Sequence, residues 1–340
     1  MSNLLSPGRH VGIVVGALLC GMALASDLWA QSQKLYVAHP AATLSDAPFY
    51  VALDKGYYQQ EGFEVLSIFV TGGPTAAQAL TASSIHFSLA LGSGTRAAMM
   101  GAPLKGIFGF NEKPIFSLYG RADLGVKSPQ DLRGKAIAVT GIGGSTDYAA
   151  RAILLHFGLN PDKDATVVAL GGGTNVWSAI ETGRVQAAIL WPPYDVLAME
   201  RGMRKILYLG DIIKLPASGV VTSDRRIQEE PRVVKGFLRA TLRGLRFFEN
   251  GANREENSRI IARAFKLERD TALRTYDFLR GIQTSDGILS FEVLKNEIDI
   301  ARERVKDPKV AALSVEEVTK RMYNFAPLGE VLREEKKRER

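Results

Sequence analysis

The chain has 340 residues, 46% of them hydrophobic and 23% charged, a balance that suits a soluble globular protein of about two domains. Its net charge of +7 comes from Lys and Arg interleaved with Glu and Asp, as in residues 232–246 and 334–340, the pattern of solvated helix faces rather than of a nucleic-acid-binding block. With Cys20 as the single cysteine, a disulfide framework is excluded.

At the start of the chain, Arg9 and His10 precede an apolar run at 11–25, and Asp27 follows soon after. That run falls short of the roughly 20 residues a bilayer span needs. Basic start, apolar run and small residues together read as an export signal over residues 1–30, cleaved near Ala30 or Ala25, which places the mature protein in the periplasm. Leu19 stands before Cys20 where a lipidation site wants a small residue. The expected mature chain therefore carries no lipid anchor and no thiol for a metal or a nucleophile.

The next elements alternate. Strands are predicted at 35–38, 63–70, 86–91 and 104–110, with helices at 47–55, 74–82 and 95–100 between them. Residues 115–121 read as a strand that leaves this first unit. A second series follows, with strands at 136–140, 165–169 and 185–190, helices at 145–157, 175–182 and 194–201, and a return strand at 217–223. This βαβα rhythm predicts parallel sheets with helices on both faces. After Asp224 the pattern is helical alone. Pro231 stands at a first helical position, Val234, Phe237, Leu238, Thr241, Leu242, Leu245 and Phe248 recur at helical spacing, and Ser314 with Glu317 forms a capping box. These stripes read as packing on the first sheet, so no ligand chemistry is expected from the C-terminal helices. Crossings near 118–121 and 218–222 predict a two-stranded hinge. Lobe 1 then comprises 31–119 and 221–340, lobe 2 comprises 120–220, and the cleft between them is the natural ligand site.

Four times an apolar strand runs into a Gly/Ser/Thr-rich turn and then a helix: Thr71-Gly72-Gly73, Gly92-Ser93-Gly94-Thr95, Gly141 through Thr146 by way of Ser145, and Gly171-Gly172-Gly173-Thr174. Ligands of open α/β sheets bind beyond the carboxyl ends of strands. Helix starts there present unpaired N–H donors, each worth about 0.3–1 kcal/mol toward an anion. Any one of these turns is equally a tight βα connection; the four together favour a site for a small anion. The second turn also has the form of a dinucleotide fingerprint, with Glu112 about twenty residues on, but it follows the third strand rather than the first. His39 ends the first strand, where it could donate to a ligand oxygen or close the loop to Asp46. Trp191 could wall the cleft, stack on a flat ligand or pack against the hinge. No phosphate loop, metalloprotease motif or nucleophile elbow is present in the sequence, so the expectation is a binding protein without cofactor, metal or catalysis.

The landmarks APFYVALDKGYY at 47–58, EGFEV at 61–65, SPQDLRGK at 128–135 and GRVQAAILWPP at 183–193 resemble the nitrate/sulfonate/taurine-type solute-binding proteins of ABC importers, with their thiamine-pyrimidine-precursor-binding relatives. The resemblance covers almost the whole mature chain. It implies an α/β type II periplasmic-binding fold, two lobes on a two-stranded hinge with the C-terminal helices packed on lobe 1. It implies ligand contacts near His39, Phe49, Gly72, Ser93, Asn111, Ser145, Thr146, Gly172 and Trp191, to which the turns add Gly73 and Thr95. The expected ligand is a small organic anion resembling a sulfonate, nitrate or carboxylate; the alternative is a pyrimidine, another heterocycle or an aromatic. The expected partner is an inner-membrane permease that reads the closed form of a monomer. Two other uses of the fold stay open: a ligand-sensing subunit, and a pyrimidine-precursor enzyme, although the enzyme relies on cysteines that the mature chain lacks.

Overall fold

The computed structural model describes residues 32–39, 43–70, 72–142, 144–305 and 307–338. The expected export signal with Cys20, Thr71 of the first turn and Gly143 of the third lie outside them. The first half of the chain runs β1 (Gln33–His39), α1 (Ala47–Asp54), α2 (Tyr57–Gln60), β2 (Phe63–Phe69), α3 (Gly73–Thr81), β3 (Phe87–Ser88), α4 (Leu91–Met99) and β4 (Leu104–Gly109). It continues with β5 (Ser117–Gly120), β6 (Ala136–Val139), α5 (Ser145–His156), β7 (Thr166–Ala169), α6 (Gly173–Glu181), β8 (Ala187–Leu190), α7 (Tyr194–Glu200) and β9 (Arg204–Tyr208). After β10 (Gly219–Ser223) come helices alone: α8 (Asp224–Glu229), α9 (Pro231–Glu249), α10 (Arg254–Phe265), α11 (Arg269–Arg280), α12 (Phe291–Val305), α13 (Pro308–Ala311), α14 (Val315–Met322) and α15 (Ala326–Arg338).

The strands form two five-stranded sheets with the same topology, β2-β1-β3-β10-β4 and β7-β6-β8-β5-β9. In the first, β1 pairs parallel with β2 and β3, while β10 runs antiparallel between β3 and β4. In the second, β6 pairs parallel with β7 and β8, while β5 runs antiparallel between β8 and β9. The central strands are buried on both faces: every residue of β8 and of β10 is buried, as parallel-type sheets covered by helices require. In each sheet the antiparallel member is the strand the chain makes first after crossing over. The sequence reading put the crossings at 118–121 and 218–222. They lie a few residues earlier, in 110–116 and 209–218, because β5 and β10 each belong wholly to the sheet they enter. A buried strand has the same apolar run on either side of a crossing, so sequence alone does not reveal which sheet receives it.

Two further differences have local causes. β9 was not expected, since it opens on the exposed Arg204 and Lys205 and lies at a sheet edge, where charged residues are common. α4 starts at Leu91 rather than Thr95, so Gly92, Ser93 and Gly94 are its first turn and not a loop.

The C-terminal helices cover the first sheet. α9 has Pro231 at its start, and Val234, Phe237, Leu238, Thr241, Leu242, Leu245 and Phe248 are all buried along it. Phe237 stacks on Phe87 of β3, centroids 3.9 Å apart, and on Tyr58 at 5.0 Å. The Tyr58 and Thr241 hydroxyls lie 2.9 Å apart, and Thr241 donates to Phe237 O, so Tyr58 is the donor between them. The capping box of Ser314 and Glu317 forms at the start of α14. α11 also reaches the second sheet, where Phe278 meets Tyr208 edge-on and Arg274 pairs with Glu200.

α9 lies close on α1 because Gly244 lacks a side chain: a Cβ there would sit 2.4 Å from Pro48 O and 2.7 Å from Ala52 Cβ. Backbone atoms cannot rotate away, so Gly244→Ala should cost about 1–3 kcal/mol by overpacking, read as a lower urea midpoint with unchanged slope. Gly329→Ala in α15, which meets only the far end of Arg333, should be neutral or gain about 0.5–1 kcal/mol from helix entropy. Equal effects of the two would contradict this packing account.

Candidate ligand-binding cleft

Of the helices that follow the parallel strands of the two sheets, α3, α4 and α5 open on a common gap. Four of these helices have N-caps without an oxygen-bearing side chain: Gly72 for α3, Ala90 for α4, Gly144 for α5 and Gly172 for α6, none of which makes a side-chain capping bond. A helix start normally gains a capping oxygen from Ser, Thr, Asp or Asn. Here the N-cap side chain supplies none.

The gap holds a cavity of about 440 Å³. The first lobe contributes Thr43 and Ser45 ahead of α1, Gly73 of α3, and Leu89 through Ser93 with Arg96 at α4. Thr140, Ser145, Thr146, Tyr148 and Trp191 face it from the second. The crossing segments add Pro114, Ile115, Phe116, Leu209 and residues 215–218, and α12 adds Glu297, Ile300 and Ala301. The wall is thus hydroxyl-rich on two sides and apolar between, the usual composition of a site for an organic ligand.

Of the expected contacts, Gly73, Ser93, Ser145, Thr146 and Trp191 are brought together on this wall. The Thr146 hydroxyl also accepts from Thr140 N at 3.0 Å and so holds the third turn closed. Trp191 meets Phe116 edge-on at 5.9 Å, so it belongs to the hinge side as well as to the cavity. His39, Phe49, Gly72, Thr95, Asn111 and Gly172 are off the wall. His39 Nε2 lies 2.7 Å from Ser67 Oγ. Phe49 is fully buried among Tyr50 and Tyr58. Gly72, the N-cap of α3, is one residue outside the cavity, whereas Gly172 caps α6, no residue of which reaches the wall. Thr95 is two residues past Ser93, about 200° around the helix, and its buried hydroxyl goes to Leu91 O at 2.9 Å and Glu297 Oε1 at 2.8 Å. Asn111 clamps the two crossings: its Oδ1 accepts from Ser218 N at 3.0 Å, and its Nδ2 donates to Ser45 O at 3.4 Å. The dinucleotide-like run fails geometrically, because it is helical from Leu91 and Gly94 serves to let Val221 of β10 approach, 2.7 Å from where a Cβ would be.

Several wall residues escaped the sequence reading. Thr43, Ser45 and Ser218 come from loops without a motif. Glu297 sits on the apolar stripe of α12 with Val293 and Ala301, and a carboxylate on such a stripe was the one visible signal. Its position puts a C-terminal helix on the cavity wall, where packing alone was expected. Burial raises the Glu297 pKa, opposed by hydrogen bonds from Tyr323 and Thr95 and then by the charge of Arg96.

Behind the wall, Asp46 at the N-cap of α1 is fully buried, and neither carboxyl oxygen has a hydrogen-bond donor. The neighbouring Ser218 hydroxyl directs its hydrogen to Ser45 O at 3.0 Å or Asn111 Oδ1 at 3.2 Å. Burial pushes the Asp46 pKa up to about 8, with a smaller opposing effect of Ser218.

Comparison with known proteins fits this architecture. The family model described as NMT1/THI5 like matches residues 44–251. The riboflavin-binding protein RibY of Chloroflexus aurantiacus is 30% identical over 204 residues, covering 58% of this chain and 57% of its own length. The chain therefore spans little over half of that curated relative. Among solved structures, the aliphatic sulphonate binding protein SsuA of Escherichia coli superposes with a TM-score of 0.71 at 18% identity, over 86% of this chain and 97% of its own. The nitrate-binding protein NrtA of Synechocystis PCC 6803 gives 0.68 at 17% identity over 89% of each chain. Both carry the periplasmic-binding fold, and at those identities the likeness is one of fold.

An unfolded aspartate loses its proton near pH 4, whereas folded Asp46 holds it to about pH 8. The folded state binds the extra proton in that window, so stability falls as pH rises from about 4 to about 8, by on the order of 1.4 kcal/mol per unit from this group. Asp46→Asn should remove that slope, matching the parent near pH 4 and exceeding it at pH 8 in urea titrations. Parallel pH profiles for the two proteins would contradict the assignment.

Proposed function

Because the chain belongs to the NMT1/THI5-like family, we propose that it is the periplasmic solute-binding protein of an ABC importer, capturing a small organic molecule between its lobes. The observation that carries this reading is the cavity itself: it lies between two sheets of identical topology and takes lining residues from both. Ligand contact with both lobes favours the closed arrangement, since only there are both sets of contacts made. A permease would read that closed surface of a monomeric protein. The leader expected at residues 1–30 supports export, and the lobe assignment we adopt moves the expected boundaries of 31–119 with 221–340 and 120–220 back to the crossings at 110–116 and 209–218, so that β5 and β10 each stay whole.

The ligand we favour is an organic anion with an apolar body. Helix starts and the hydroxyls of Ser93, Ser145 and Thr146 suit its charged end, while Trp191, Phe116 and Leu91 suit its body. A cavity of about 440 Å³ lies in the range of organic-ligand sites; an inorganic ion would leave most of it to water. A second reading, a flat heterocycle, is favoured by the relative named for riboflavin binding. Binding without turnover is proposed because His39, His86 and His156 all stay off the wall, and both Glu297 oxygens are already hydrogen-bonded, to the Thr95 and Tyr323 hydroxyls.

Thermal unfolding of the mature chain with alkanesulfonates, nitrate, aromatic carboxylates, pyrimidines and riboflavin tests the reading. A true ligand at a hundred times its Kd adds about 2.7 kcal/mol and is recovered unchanged. Trp191→Ala should weaken that ligand roughly tenfold to a hundredfold, the loss of a large aromatic contact. Chemical conversion of the bound compound, or no shift with any class, would count against a binding protein.

A further inference from the structure

Among the described residues, two ionisable side chains of the acidic and basic kind line the cavity, Arg96 of α4 and Glu297 of α12. They stand at one corner, near enough for the charge of Arg96 to act on the Glu297 carboxyl. Thr95, beside Arg96 in sequence, sets its hydroxyl 2.8 Å from Glu297 Oε1. Tyr323 donates to Glu297 Oε2 from the other side. Each carboxyl oxygen thus has one partner from the protein and a second lone pair to offer. Thr95 and Tyr323 are themselves buried, so the carboxyl group is fixed in place. Arg96 approaches Ser93 Oγ at 3.4 Å, which keeps its guanidinium on the cavity side of α4.

The two groups set opposite demands on whatever fills the corner. A ligand presenting only an anion meets Arg96 favourably but crowds the acceptor oxygens of Glu297. A ligand presenting only a cation meets the reverse. A neutral group with an N–H beside a C=O suits both, offering a donor to Glu297 and an acceptor to one of the five N–H groups of Arg96.

We propose that Arg96 and Glu297 are specificity-determining residues that read the amide- or imide-type edge of a neutral heterocycle, the N–H donating to Glu297 and the carbonyl accepting from Arg96. This rests on the solute-binding reading of the cleft and selects its heterocyclic branch over the anionic one. It also gives Thr95 and Tyr323 a task as positioning residues that aim the carboxyl group.

Riboflavin carries such an edge, 3-methylriboflavin keeps the carbonyls and lacks the N–H, and octane-1-sulfonate offers an anion alone. Titration calorimetry on the purified chain should show riboflavin bound roughly tenfold or more tighter than its methylated analogue, the cost of an unmet acceptor. Glu297→Gln preserves the size of the side chain and can still bridge Thr95 and Tyr323; it should abolish that preference, which a purely structural role would leave intact. Arg96→Met should weaken both flavins alike, by roughly tenfold for loss of a charged donor. Equal affinity for the two flavins, a preference that survives Glu297→Gln, or binding of octane-1-sulfonate with neither flavin would overturn the corner and leave the solute-binding reading standing. If no compound of the wider screen binds either, both fall.

Discussion

At the start of α3 a Cβ on Gly73 would sit 2.0 Å from Ser93 Oγ, and at the start of α6 a Cβ on Gly173 would sit 2.8 Å from Trp191 Cζ2. The two glycines occupy equivalent places, each opening the helix after the outer parallel strand of its sheet. Their counterparts, Ser93 and Trp191, follow the third parallel strand in each sheet, β3 and β8. In both lobes, then, a helix start must press its backbone against the side chain that lines the cavity, and only glycine permits it. The cleft is built twice by one device, and its two halves differ in what the neighbour is: a hydroxyl on one side, an indole on the other.

The halves are registered by a small polar clamp. Asn111 on the first crossing binds Ser218 on the second, and both bind the Ser45 carbonyl ahead of α1. These groups are buried, so each hydrogen bond avoids a desolvation penalty of about 1–3 kcal/mol. Beside the clamp stand two buried acids, Asp46 and Glu297, whose protonated forms burial favours. Titratable groups with such shifts gather at functional sites because local stability is exchanged there for chemistry. Asp46 holds a polar group behind the cleft wall without a hydrogen-bond donor, while Glu297 is held by two hydroxyls.

Much of the fold was legible in the sequence because its strands are short apolar runs punctuated by glycine, and its helices repeat at the α-helical period. What escaped were details that periodicity does not encode: which sheet receives β5 and β10, and an edge strand that begins with Arg204 and Lys205. The cavity wall was legible where it follows from strand ends, as at Ser93, Ser145, Thr146 and Trp191. It was misread where a residue lies near the cleft in sequence but points away, as Thr95 does by helix phase, or where a polar side chain closes the hinge, as Asn111 does. Ser218 and Glu297 come from far along the chain, and only tertiary packing brings them to the wall.

The central claim is that one ligand touches both sheets at once. A crystal structure of the mature chain with the compound that most raises its unfolding temperature tests this directly. The account predicts that compound between Ser93 on one side and Ser145, Thr146 and Trp191 on the other, with the lobes closed upon it. Electron density for it on an outer face of either lobe, contacting one sheet alone, would contradict the account.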